Sequence, residues 1–163
     1  MEELISYLEE LNRKLVIRYL PWCCVYELLC QKNKYPWMAA LLSSNGGQFC
    51  GATLVASKYV VTAAHCMFFD QDGKQPLSTS DVQVRLGDHD LSVTGETTIA
   101  EKTVAVAKIN NHESYAPAGG SLNNDITVLE LAEEVDINIY TPACLAQTSD
   151  TTTFDGKTML HFI

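Results

Sequence analysis

The sequence predicts an all-β domain, an antiparallel barrel or sandwich, carried behind a helical N-terminal extension. Three observations point there. From about residue 34 the apolar residues fall in short runs with β-type alternation. The runs are separated by stretches rich in Gly, Pro, Asn, Asp and Ser, and no helix-length periodic segment stands between them. About six strands at such close spacing fit antiparallel neighbours rather than helical crossovers.

The elements can be taken in order. Residues 1–20, "MEELISYLEELNRKLVIRYL", place Leu4, Leu8, Leu11 and Leu15 at helical spacing, which predicts an amphipathic helix. Four glutamates precede residue 11 with no basic start, so the stretch does not read as a secretory signal. Arg13, Lys14 and Arg18 interrupt any apolar run long enough to span a bilayer, and no membrane partner is expected. "PWMAALL" (36–42) is a strand followed by the hairpin loop "SSNGG". "QFCGATLVA" (48–56) and "KYVVTAA" (58–64) follow. "DVQVRLG" (81–87) sets Val82, Val84 and Leu86 on one face. "TTIAEKTVAVAKI" (97–109) is one long strand or two joined by a bend. "DITVLEL" (125–131) alternates less strictly.

Bulk composition narrows the function classes. The chain has 163 residues, 47% hydrophobic and 19% charged, enough for one packed domain with an appendage. A net charge of −9 repels phosphate backbones and argues against nucleic acid as a partner. The six cysteines, Cys23, Cys24, Cys30, Cys50, Cys66 and Cys144, contain no CxxC pair, which weakens zinc-ribbon and thioredoxin-like readings. A disulfide-bearing extracellular domain fits better. The adjacent Cys23 and Cys24 have unfavourable geometry for bridging each other.

Two short stretches carry the chemistry. "YVVTAAHC" offers His65 with a cysteine behind it, and "NNDITVLEL" offers Asp125 at the mouth of an apolar strand. Alone, each has a plain structural reading: a half-buried histidine at a strand end, and a turn residue after two asparagines. Their flanks change that. "KYPWMAALL", "FCGATLVASKYVVTAAHC", "VRLGDHDL", "INNHESY", "LNNDITVLEL" and "TPACLA", in this order, resemble the first half of a trypsin/chymotrypsin-like serine protease over residues 34–147.

The resemblance implies a single closed six-stranded antiparallel barrel, the first of the family's two. It implies that His65 is the general base and Asp125 the group orienting it, in the family's order of histidine, aspartate, serine. It pairs Cys50 with Cys66 around the histidine loop. Cys144 matches a position that bridges to a propeptide in many members, with Cys23, Cys24 and Cys30 as candidate partners. "GDHDLSVTGE" (87–96) matches a loop that binds calcium in some relatives; Asp88 and Glu96 are the oxygen donors there, against the plainer reading of a solvated acidic loop. No metal or organic cofactor is implied for the chemistry. Protein or peptide substrates and an extracellular location are.

The third member of the triad is missing. The family's Gly-Asp-Ser-Gly-Gly stretch does not occur, and Ser121 precedes Asp125 without the flanking motif. "CVYELLCQK" stands where the family carries Ile-Val-Gly-Gly, and "GKTML" resembles only the opening strand of the second barrel. The expected organisation is a non-family helical extension at 1–33, the barrel at 34–147, and a linker with the start of the second barrel at 148–163. The expected function is a serine endopeptidase by family that is inactive alone, lacking nucleophile, oxyanion hole and specificity pocket. The alternative is a non-catalytic, protease-homologous binding or regulatory module. A lone barrel would also expose the face that packs on its companion, inviting self-association.

Overall fold

The computed structural model describes residues 34–69, 75–93, 95, 99–116 and 123–145. The expected N-terminal helix, Glu96, Ser121 and "GKTML" lie outside the described residues.

Six strands close into one barrel: β1 (Met38–Ser43), β2 (Gln48–Ala56), β3 (Tyr59–Thr62), β4 (Val82–Leu86), β5 (Lys102–Asn111) and β6 (Thr127–Leu131). Every pairing is antiparallel and the order is β1-β2-β3-β6-β5-β4. Closure comes from β1 and β4, paired from Ala39↔Leu86 to Ser43↔Val82. The barrel reading is therefore correct over the sandwich.

Alternation puts one side chain in two inside. Leu41, Leu54, Val60, Val84, Leu86, Val104, Leu129 and Leu131 are each at most 1% exposed, so every strand contributes to the interior. Burying each such side chain is worth about 1.5–3 kcal/mol. Val61 and Val128 point outward from β3 and β6 and form a second, smaller cluster with Val55, Tyr59, Ile126 and Leu145.

"SSNGG" turns β1 into β2. Gly46 N–H donates to Ser43 O at 2.8 Å, and Gly46 takes a φ of +86° that a side chain would resist. β1 and β6 each begin two residues later than the sequence pattern predicts, and β3 and β5 also depart from it. The 58–64 run ends as a strand at Thr62, and a tight 3-10 turn, Ala64–Met67, follows. The 97–109 run enters the ladder only at Lys102 and then extends to Asn111. Just before that start, Ala100 O accepts the Tyr140 hydroxyl at 2.7 Å, a tertiary contact in place of a ladder partner.

Candidate active site

The register of β3 and β6 brings the candidate residues together. Thr62 pairs with Thr127, so the residues just after β3 and just before β6 emerge at the same end of the barrel. His65 lies three positions beyond Thr62, and Asp125 two positions before Thr127.

Each side is anchored. In the turn, Ala64 and Met67 are wholly buried and Cys66 nearly so, which leaves His65 as the residue facing out. Cys66 is bonded to Cys50 on β2, across 16 residues of chain. Thr62, fully buried, donates its hydroxyl to Gly51 O at 2.9 Å, a second tie between the histidine segment and β2. On the other side, Asn124 adopts a φ of +59°, a left-handed conformation that asparagine tolerates better than most residues. Ile126 N–H donates to Asn124 O at 2.8 Å, closing a three-residue turn centred on Asp125. Asn124 Nδ2 also donates to Ser114 O at 3.3 Å.

The Asp125 carboxylate then grips His65 twice. Oδ2 is 2.7 Å from ring Nδ1, and Oδ1 accepts the His65 backbone N–H at 2.8 Å. A carboxylate only accepts, so in the neutral ring Nδ1 carries the proton and Nε2 presents its lone pair. The His65 side chain is 56% exposed and that of Asp125 13%, so the acceptor is reachable while its partner is shielded. The arrangement can take a proton at Nε2 and stabilise the resulting imidazolium from behind.

Tyr115, which sequence reasoning left without a role, borders the pair. Burial pushes its phenol above the usual tyrosine range, and the Asp125 charge adds to the push. Its ring lies 6.0 Å from that of Phe68, just beyond the histidine turn. Thr62 and Asn124 were likewise missed. The paired asparagines before Asp125 were the available signal for the left-handed turn.

The acidic loop is arranged differently. Arg85 Nε donates to Asp88 Oδ2 at 2.5 Å and its Nη2 to Glu101 Oε2 at 2.5 Å. Glu101 Oε1 in turn accepts Gly95 N–H at 2.7 Å. One guanidinium bridges the two carboxylates and offsets one of their two charges, Asp88 Oδ1 is buried with no hydrogen-bond partner among the described residues, and calcium needs six to eight oxygens. Arg85 takes up one oxygen of Asp88 and one of Glu101, and Glu96, the other expected donor, lies outside the described residues. Cys144 is exposed and has no disulfide partner among the described residues; its candidate partners, Cys23, Cys24 and Cys30, lie outside them.

Comparison with known proteins gives a consistent picture. The Trypsin family model matches residues 27–160. Mannan-binding lectin serine protease 1 of Homo sapiens is 34% identical over 72% of this chain, and trypsin-3 of Salmo salar 35% over 68%. Inactive CLIP domain-containing serine protease A28 of Anopheles gambiae is 36% identical over 76%. The chain spans only 17%, 39% and 32% of those three relatives respectively.

Proposed function

The chain belongs to the trypsin family of serine proteases, and from that premise we propose that it carries the proton-handling half of a serine endopeptidase site. His65 acts as general base and acid, and Asp125 orients it. In peptide-bond hydrolysis, Nε2 takes the proton of a serine hydroxyl as the oxygen attacks the scissile carbonyl. It then returns that proton to the leaving amine, while Asp125 holds the ring and stabilises the imidazolium. The observation that carries this reading is the double contact of one carboxylate with the Nδ1 and the backbone N–H of His65.

The 163 residues contain no Gly-Asp-Ser-Gly-Gly stretch to supply the nucleophile. Without a positioned hydroxyl and preorganised oxyanion donors, the base has nothing to activate. The chain by itself is therefore expected to hydrolyse nothing. We assign the barrel-bearing unit to residues 34–147 and the start of a second barrel to 148–163, with a separate N-terminal extension of which residues 27–33 fall within the family match and 1–26 do not. The family match reaches into both flanking segments. Protein or peptide substrates and an extracellular setting go with the family. The Cys50–Cys66 disulfide supports the setting, since such bonds persist in oxidising compartments.

A second reading, a non-catalytic binding or regulatory module, draws support from the relative named as an inactive protease. An assay separates activity from its lack. The chain is offered fluorogenic peptides with basic, aromatic and small residues before the scissile bond, then a serine-directed phosphonate. The expected result is no turnover and no phosphonate adduct by mass. Robust hydrolysis that the phosphonate blocks would contradict the assignment.

A further inference from the structure

The Cys50–Cys66 disulfide lies against the far edge of the His65 ring. Cys66 Sγ is 3.7 Å from Nε2, and the donor atoms of Cys50, His65 and Cys66 all fall within 4.8 Å of one another. Cys66 is buried, Cys50 half-buried and His65 exposed, so the group is reachable from one side.

We infer that reduction of this disulfide creates a Cys2His site for zinc, built from Cys50 Sγ, Cys66 Sγ and His65 Nε2. Zinc binds thiolate sulfur at about 2.3 Å and imidazole nitrogen at about 2.0 Å in a tetrahedron, which sets sulfur and nitrogen ligands roughly 3.5 Å apart. The 3.7 Å between Cys66 Sγ and His65 Nε2 is already close to that edge. Once their bond is cut the two sulfurs must separate by side-chain rotation, with Cys50 Sγ, within 4.8 Å of the other donors, brought to a similar edge.

Asp125 completes the design. Its contact with Nδ1, at 2.7 Å, leaves Nε2, 3.7 Å from Cys66 Sγ, as the ring nitrogen free to ligate. A histidine ligand whose other nitrogen donates to a carboxylate is a stronger and better-oriented ligand. Two thiolates cancel the charge of the divalent ion, so no uncompensated charge is left at a half-buried position. Three protein ligands leave the fourth coordination position to water.

The redox step balances. A dithiol reductant gives two electrons and two protons to the Cys50–Cys66 bond, leaving two thiols on the protein and a disulfide on the reductant. Metal binding then releases both thiol protons to solvent. The ion would occupy the nitrogen assigned above to proton transfer, so a reduced, metal-loaded chain would have its base blocked. The site depends on the geometry of His65 and Asp125 and not on their protease role.

The test uses the full chain with Cys23, Cys24, Cys30 and Cys144 replaced by Ser. It is reduced with dithiothreitol, freed of reductant anaerobically, and titrated with cobalt(II). The expected result is a thiolate-to-cobalt charge-transfer band saturating at one ion per chain. The oxidised chain should give no such band. His65→Ala should abolish the saturable site, and Asp125→Asn should weaken binding about 10- to 100-fold. Circular dichroism is followed in parallel, because losing the disulfide can unfold the reduced apo chain; cobalt should then restore the strand signal. A reduced chain that shows neither the band nor a regained strand signal overturns the inference. So does a band of equal affinity in His65→Ala.

Discussion

Asp125 holds His65 by ring and backbone at once, with Oδ2 2.7 Å from Nδ1 and Oδ1 2.8 Å from the backbone nitrogen. One contact alone would leave the ring free to swing about its own side-chain bonds. Two contacts from a shielded carboxylate set both the turn that bears the histidine and the direction its free nitrogen faces. The pair is separated by 60 residues and depends on the β3–β6 register.

The Cys50–Cys66 bond should stabilise the barrel as well as the turn. Closing a loop of 16 residues is worth about 3 kcal/mol in the chain-entropy model. The double substitution Cys50→Ala/Cys66→Ala is expected to lower unfolding free energy in urea by about that amount. A loss under about 1 kcal/mol would mean that the buried Ala64 and Met67 hold the turn unaided.

Two glycines separate backbone strain from crowding. Gly46 and Gly87 both have positive φ, +86° and +76°. A Cβ at Gly46 meets nothing within 4 Å, whereas one at Gly87 would stand 2.8 Å from Ala100 O and 3.1 Å from the Tyr140 ring. Gly46→Ala is expected to cost about 1 kcal/mol by strain alone. Gly87→Ala should cost about 2 kcal/mol or more, because the barrel end must also shift. Equal losses in thermal or urea unfolding would contradict this.

Tyr115 reports on the charge of Asp125. Its phenol is raised above 10.0 by burial first and by the Asp125 carboxylate second. A raised value in the folded state means that its contribution to stability is full below about pH 10 and is lost as pH rises through the folded value. Asp125→Asn should lower the Tyr115 midpoint, read by NMR of ring-labelled tyrosine, while burial keeps it above the ordinary value. A midpoint unmoved by the substitution would show that the two groups do not interact.

Much of this was legible in the sequence, because alternation and motif are local. β2 runs from Gln48 to Ala56 as the sequence pattern predicts, and β4 buries Val82, Val84 and Leu86. The early end of β3 was not legible: Ala63 and Ala64 are small, apolar and buried, as suits a strand or a turn. The turn there is tied by contacts distant in sequence, Asp125 accepting the His65 N–H across 60 residues and Cys50 bonded to Cys66. The stretch before β5 likewise carries a distant contact, Tyr140 to Ala100 across 40 residues. The convergence of Cys50, Cys66 and His65 follows no metal-binding spacing and exists only once β2 meets the turn.

The most direct test of the account is the tautomer of the His65 ring, read by nitrogen-15 NMR of the oxidised chain at a pH where the ring is neutral. The prediction is a protonated Nδ1 and a lone pair on Nε2, with that preference lost in Asp125→Ala. A proton resting on Nε2, or a tautomer ratio indifferent to Asp125, would contradict the claim that this carboxylate orients the histidine for proton transfer.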